Sequence, residues 1–211
     1  SGLMMILVKP YIFMVLFPAT VLWVFYFRVV KLKNALVKFL LVPISIVGMG
    51  GASYYVLNRM GGQLDKFALD GAMKTIQTTQ GDLLNSESYG SNSFNVGELD
   101  GTWLGALSKF PIATGAAFFR PYLWEANNAV MMLSGLENFW VLCLAIFSVL
   151  RAGPLFMVRS AVGIPILLMS VVFALFFAFT VGITTPNFGA LVRFKIPMVP
   201  FFISSLFITV Y

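Results

Sequence analysis

Two stretches decide what kind of chain this is: AVMMLSGLENFWVLCLAIFSVL over residues 129–150 and VGIPILLMSVVFALFFAFTVGI over residues 162–183. An α-helix rising ~1.5 Å per residue needs about 20 mostly apolar residues to cross the hydrocarbon of a bilayer. Both stretches meet that requirement, and Glu137 is the one charged residue in the pair. Each predicts a membrane-spanning helix.

Outward from this pair the same pattern recurs. Toward the carboxy terminus, Ile196 to Tyr211 is apolar and only just long enough to cross. Toward the amino terminus lie two further candidates, about Leu3 to Phe27 and about Ala35 to Leu57. Pro10 and Pro18 should bend the first, since proline removes a backbone donor. The second carries Gly48, Gly50, Gly51 and Ala52, small residues that let neighbouring helices approach closely. Its GMGG lacks the preceding strand and following Lys-Ser or Lys-Thr of a phosphate loop. The expected architecture is an all-α membrane protein of about five spans: two over residues 1–58, an outer loop over 59–126, and two to three over 127–211.

Composition points the same way. Of the 211 residues, 59% are apolar and only 10% charged, with a mean hydropathy of +0.90. A soluble domain carries about 25% charged residues. There is no histidine, which excludes imidazole-based acid–base catalysis and histidine metal ligation. The single cysteine, Cys143, sits in an apolar run, can form no internal disulfide, and reads as a buried structural thiol. No metal site and no cofactor motif is present in the sequence. The net charge of +6 would suggest nucleic acid in a soluble protein; here it reads as topology.

The layout of charge orients the chain. All eight acidic residues fall between Asp65 and Glu137, whereas the links at 28–38 and 151–159 hold six basic residues and no acidic one. Positive links stay on the cytoplasmic side, which puts residues 59–126 and the 184–195 link outside, with Arg193 and Lys195 as exceptions to the rule. Five spans then leave the amino terminus outside, as expected for the tail of a longer polytopic chain.

The outer loop has three parts. Over Gly62 to Thr78, Leu64, Phe67, Ala68, Ala72 and Ile76 share one helical face, an amphipathic pattern suited to lying on the membrane or on other helices. Thr79 to Asp100 is rich in Gly, Ser, Asn and acid and predicts an exposed loop with a short strand near Phe94 to Val96. Trp103 to Glu125 turns apolar again but is interrupted by Pro111 and Pro121, which predicts an interfacial or re-entrant segment.

Charges placed where lipid makes them costly are the candidates for function. Glu137 lies roughly 12 Å below the start of its span at ~1.5 Å per residue, and a carboxylate there costs about 2.5–3.5 kcal/mol unless partnered or wet. Arg120, Arg193 and Lys195 fall on the same outer side. With Glu125, Asn127, Asn128 and Asn187 they are expected to line an outward-opening polar pocket, which Asn138 extends inward. Arginine's planar fork suits phosphate or carboxylate, so the pocket would take an anionic lipid-linked substrate such as a diphosphate. The competing reading is a Glu137–Arg193 ion pair that fixes helix packing. No nucleophile stands beside a base, so enzymatic activity is left open.

Two motifs hold most of these residues: FFRPYLWEANN at 118–128 and TTPNFGALVRFKIPMVPFF at 184–202. In each, proline-punctuated turns set basic and amide side chains beside aromatic rings of the kind found at membrane interfaces. With the Glu in the following span, these motifs make residues 35–211 resemble the carboxy-terminal region of polytopic membrane proteins from bacterial exopolysaccharide and O-antigen clusters. That resemblance implies a bacterial cytoplasmic-membrane protein that assembles or moves lipid-linked glycans for the cell envelope, with Arg120 and Arg193 contacting the glycan lipid. The chain departs from the polymerase and ligase pattern in having fewer spans and no histidine. The alternative is a non-enzymatic accessory or scaffold subunit of a larger membrane complex, with other membrane subunits as partners. A transporter or channel would need more mid-bilayer polar residues than Ser170 and Thr180 provide.

Overall fold

The computed structural model describes residues 10–30, 69–85, 93–94, 96–97 and 100–210. The described residues are helical, with no strand among them. Nine α-helices follow in order: α1 (Pro10–Val30), α2 (Leu69–Asn85), α3 (Trp103–Ser108), α4 (Phe110–Phe119), α5 (Ala129–Ala152), α6 (Pro154–Gly163), α7 (Pro165–Thr184), α8 (Phe188–Phe194) and α9 (Val199–Val210), with a 3₁₀ turn at Leu123–Glu125.

Helix α7 is the hub, and α1, α2, α4, α6, α8 and α9 all pack on it. Its Phe173, Phe177, Leu167 and Ile183 are fully buried. The reason for its central place is visible in its small residues. Ala174, Ala178 and Gly182 recur every fourth position and so fall on one helical stripe. A Cβ at Gly182 would lie 2.0 Å from the Ala113 carbonyl oxygen, so α4 rests directly on α7 backbone. On α4, Ala113 and Ala117 have no solvent-accessible surface. Large rings fill the remaining space: Phe110 meets Phe179 at 5.1 Å, Phe173 meets Phe201 edge-on at 4.7 Å, and Phe118 stacks on Phe202 at 4.1 Å.

Helix boundaries follow local chemistry. Asn128 caps α5, accepting from the Met131 amide at 2.8 Å. Gly153 ends α5 with φ +79°, a conformation that glycine adopts without steric cost, and Pro154 then opens α6 at once. Proline also begins α7 and lies in the first turn of α4, where its missing N–H is harmless.

Helices α5 and α7 are long and apolar enough to cross a membrane, and the α8–α9 pair adds a third crossing if its two parts, bent by 66°, are one broken span. The expected spans at 129–150 and 162–183 thus appear as α5 and α7. Among the described residues the candidate spans number two, or three with the bent pair, and about five is not confirmed. The amino-terminal candidate is found as α1, of which Val15–Arg28 forms a shorter apolar helix, and the candidate at Ala35 to Leu57 lies outside the described residues. The 151–159 link, expected as a simple connection, is helix α6, because Gly153 turns the chain and Pro154 restarts it. In the outer loop, α2 covers the described part of the expected amphipathic segment and runs on through Thr79 to Asn85, while residues 62–68 lie outside the described residues. The anticipated strand near Phe94 is reduced to a single antiparallel bridge between Ser93 and Asn187. Cys143 corrects another expectation: it is exposed on α5. An apolar neighbourhood in the sequence did not mean contact with protein.

Candidate functional site

The corner between α4 and α5 gathers most of the candidate residues. Helix α4 ends where Arg120 turns extended and Pro121, joined by a cis peptide bond, is buried. The chain then makes its 3₁₀ turn. Glu125 stabilises that turn twice: its amide donates to the Tyr122 carbonyl at 3.0 Å, and its Oε2 accepts from the Tyr122 amide at 2.9 Å. Its Oε1 stands 3.1 Å from Arg120 Nη2. This is the described residues' one ion pair, and both side chains are partly exposed, so solvent screening keeps its contribution modest.

Two aromatic rings lie beside the guanidinium. Its central carbon lies 5.2 Å from the Phe94 ring centre and 5.6 Å from that of Tyr122, within cation–π range. Phe94 is fixed in turn. Its amide donates to the Pro186 carbonyl at 2.9 Å, and its ring stacks on Phe188 at 5.4 Å. Tyr122 stacks on Trp124 at 4.8 Å. The polar loop and the α4–α5 turn thus each set a ring beside a single arginine, and α8 backs the first of these through Phe188.

Beneath this corner lies a buried ammonium. Lys195, 5% exposed at the break between α8 and α9, donates from Nζ to the Arg120 carbonyl at 3.2 Å and to Asn138 Oδ1. Asn138, itself buried on α5, uses its Nδ2 to donate to the Pro121 carbonyl at 3.3 Å. Two successive carbonyls of the turn are therefore clamped by one lysine–asparagine pair. Asn187 caps α8, accepting at Oδ1 from the Ala190 amide at 3.1 Å, while its buried Nδ2 has no hydrogen-bond partner among the described residues.

Of the residues expected in a pocket, the structure brings Arg120, Glu125, Asn138, Asn187 and Lys195 around this corner, while Asn128 caps α5. Glu137 and Arg193 stand apart. Both are exposed, and neither is in an ion pair among the described residues, so the proposed Glu137–Arg193 pair does not form. Glu137 acts on Lys195 only through its charge. Arg120 takes Glu125 as its acid because the 3₁₀ turn folds that carboxylate back within three residues of Tyr122. Phe94 is the contributor that sequence reasoning missed, although an isolated aromatic in a stretch of Gly, Ser and Asn was a signal available to it.

Chemically the corner is rich in donors. A guanidinium carries five N–H groups, an ammonium three and an amide two. Among the described residues only one guanidinium nitrogen is in an ion pair, two ammonium bonds are formed, and the Asn187 amide is unpaired. Such a surplus suits an acceptor-rich anion. No group of three or more His, Cys, Asp or Glu side chains stands ready for a metal among the described residues. Comparison with protein-family models, with curated proteins and with solved structures returns no match.

Proposed function

We propose that this membrane-embedded helical protein holds the anionic headgroup of an amphiphile, of the lipid-linked diphosphate class, at the Arg120 corner. The observation that carries the reading is a group of donors with spare capacity: the Arg120 guanidinium beside the Phe94 and Tyr122 rings, and the Lys195 ammonium bonded to the Arg120 carbonyl, with the Asn187 amide, unpaired among the described residues, next in the chain to the Pro186 carbonyl that holds Phe94. In this reading Glu125 fixes one edge of the guanidinium, leaving another edge for a phosphate. Residues 59–126 face outward from a bacterial cytoplasmic membrane, and the five-span arrangement includes the stretch at 35–57. The glycan-handling role comes from the resemblance of the 118–128 and 184–202 motifs.

The test is binding of farnesyl diphosphate against farnesol to purified protein. Saturable binding of the diphosphate, weakened about tenfold by Arg120→Gln with farnesol unaffected, is the expected outcome; loss of one charge-assisted bidentate contact is of that order. Equal binding of the two ligands, or an Arg120→Gln protein of normal affinity, removes the reading.

A second reading is favoured by a separate observation. Along α5, Val130, Leu133, Leu136 and Trp140 are more than half exposed and flank the exposed Glu137. A carboxylate facing hydrocarbon calls for a cationic neighbour, as a subunit of a larger membrane complex would supply. Glu137→Lys should then shrink the complex extracted in mild detergent, whereas an unchanged particle size counts against a subunit role.

A further inference from the structure

Helix α4 is too short to cross a membrane, and its neighbours fix its depth. Its first ring, Phe110, lies 6.4 Å from that of Phe176 and 5.1 Å from that of Phe179. Those positions precede the end of α7 at Thr184 by about 7–12 Å at ~1.5 Å per residue. The far end of α4 is equally low. The turn after Arg120 rests on α5 at Gly135, where an added Cβ would lie 3.5 Å from the Tyr122 carbonyl group and from Leu123 Cα. One turn deeper, Asn138 donates to the Pro121 carbonyl. Gly135 and Asn138 follow the first residue of α5 by about 9–14 Å on the same scale. Pro186, just past α7, reaches Arg120 through Phe94, so both measures run from one side. Both ends of α4 fall inside the layer that α5 and α7 are long enough to cross.

A second break in helical structure reaches the same place. Lys195, at the bend between α8 and α9, donates to the Arg120 carbonyl, while residues 120–128 are extended or 3₁₀ rather than α-helical. At hydrocarbon depth such backbone persists only where protein buries it or where it lines water. Protein buries its base: Pro121, Asn138 and Lys195 are all inaccessible. Protein does not cover the rest. The Arg120 and Glu125 side chains keep 28% and 18% of their surface open, and Asn127 and Asn128 are exposed. An ion pair left open to hydrocarbon carries a desolvation cost that one open to water avoids.

We infer that residues 120–128 line a water-filled inlet, open on the side where α5 begins and closed below by the Lys195–Asn138 clamp. Through it small polar solutes reach Arg120 beneath the membrane surface. The inlet follows from depth and exposure, so it stands whether or not the corner takes a diphosphate.

Thiol accessibility in lipid nanodiscs tests this. The wild type has one thiol, Cys143, exposed on α5 and deeper than the turn, and a charged membrane-impermeant methanethiosulfonate should leave it unmodified until the protein is unfolded. In a Cys143→Ala background, Tyr122→Cys and Ala126→Cys should react about tenfold faster than Leu136→Cys, because only a hydrated thiol ionises to the reactive thiolate. Leu136 is an exposed apolar position of α5 at the depth of the turn. Hydroxyl-radical footprinting of the unaltered chain needs no substitution. Tyr122 should be oxidised, and Trp140, half exposed on α5, should be spared by lipid. Reaction at Tyr122→Cys and Ala126→Cys no faster than at Leu136→Cys, or a Tyr122 spared like Trp140, overturns the inlet. Ready modification of Cys143 overturns it too, because the α5 flank would then stand in water.

Discussion

Helices α5 and α7 look alike as sequences and behave differently as structure. Both are long, apolar and fit to cross a bilayer, yet 56% of the apolar window of α7 is buried inside the protein against 22% of that of α5. The α7 window is the more apolar, with a mean hydropathy of 2.7 against 1.8, and it also carries small side chains where a neighbour approaches. Helix α7 offers Ala174, Ala178 and Gly182 along one stripe, and α4 settles onto it. Helix α5 has Leu133, Leu136, Trp140 and Phe147 turned away from its neighbours and reaches the bundle through α4, α6 and α9. Lipid is as apolar as leucine, so greasiness alone gives two helices no reason to associate; close approach does.

That contrast can be broken most directly at phenylalanine. Phe177→Ala on α7 should cost about 2 kcal/mol or more, the cavity part of a large-to-small change, whereas Phe147→Ala on α5 should cost little. Reversible unfolding in mixed micelles measures both. Equal losses would mean that the buried and exposed faces are not as described. Next comes Gly182→Ala, whose new methyl meets backbone and cannot be accommodated by a side-chain rotation. It should destabilise by about 1–3 kcal/mol. Gly115→Ala on α4, with nothing within 4 Å of the added carbon, should be neutral or stabilising by up to about 1 kcal/mol.

The polar link between α5 and the α8–α9 break gives a sharper, smaller test. Lys195→Met leaves the Asn138 oxygen and the Arg120 carbonyl without their shared donor and should cost about 1–3 kcal/mol. Adding Asn138→Leu should recover part of that loss, since the two residues act as one unit. The smallest effect concerns α3. Asp100 accepts from the Thr102 amide at 2.9 Å and from its hydroxyl at 2.8 Å, and these bonds hold its carboxyl below the ordinary range. The support it gives to the Thr102 cap is therefore complete above the usual carboxylate pKa and lost as pH falls through the depressed one. Amide chemical shifts of Thr102 and Gly105 should follow that titration and become insensitive to it in Asp100→Asn.

How much of this was legible beforehand depends on which physics each residue obeys. Crossing a membrane is a property of composition over about 20 residues, so α5 and α7 could be read to within a few positions. Burial is a property of neighbours, which is why Cys143 and Glu137, both set in apolar runs, were assigned to the interior and are exposed. The small-residue stretch from Gly48 to Ala52 lies outside the described residues, and the close approach that the structure shows is at Gly182, on a stripe with Ala174 and Ala178 that large phenylalanines interrupt in the sequence. Arg120, Glu125, Asn187 and Lys195 stand out in the sequence by charge and position, and the structure brings them to one corner. The Arg120–Glu125 pairing is not legible there, because it depends on a turn that folds Glu125 back on Arg120 ahead of any partner farther along the chain.

The bend between α8 and α9 has a mechanical consequence for the Arg120 turn. The two helices hold 7 and 12 residues, or about 10 and 18 Å end to end at ~1.5 Å per residue. Tilted 66° from α9, helix α8 runs more across that axis than along it, so the chain turns an elbow at Lys195. The elbow is tied through Lys195 and Asn138 to the carbonyls of Arg120 and Pro121, so a change in the tilt of α8 loads the turn that carries Arg120.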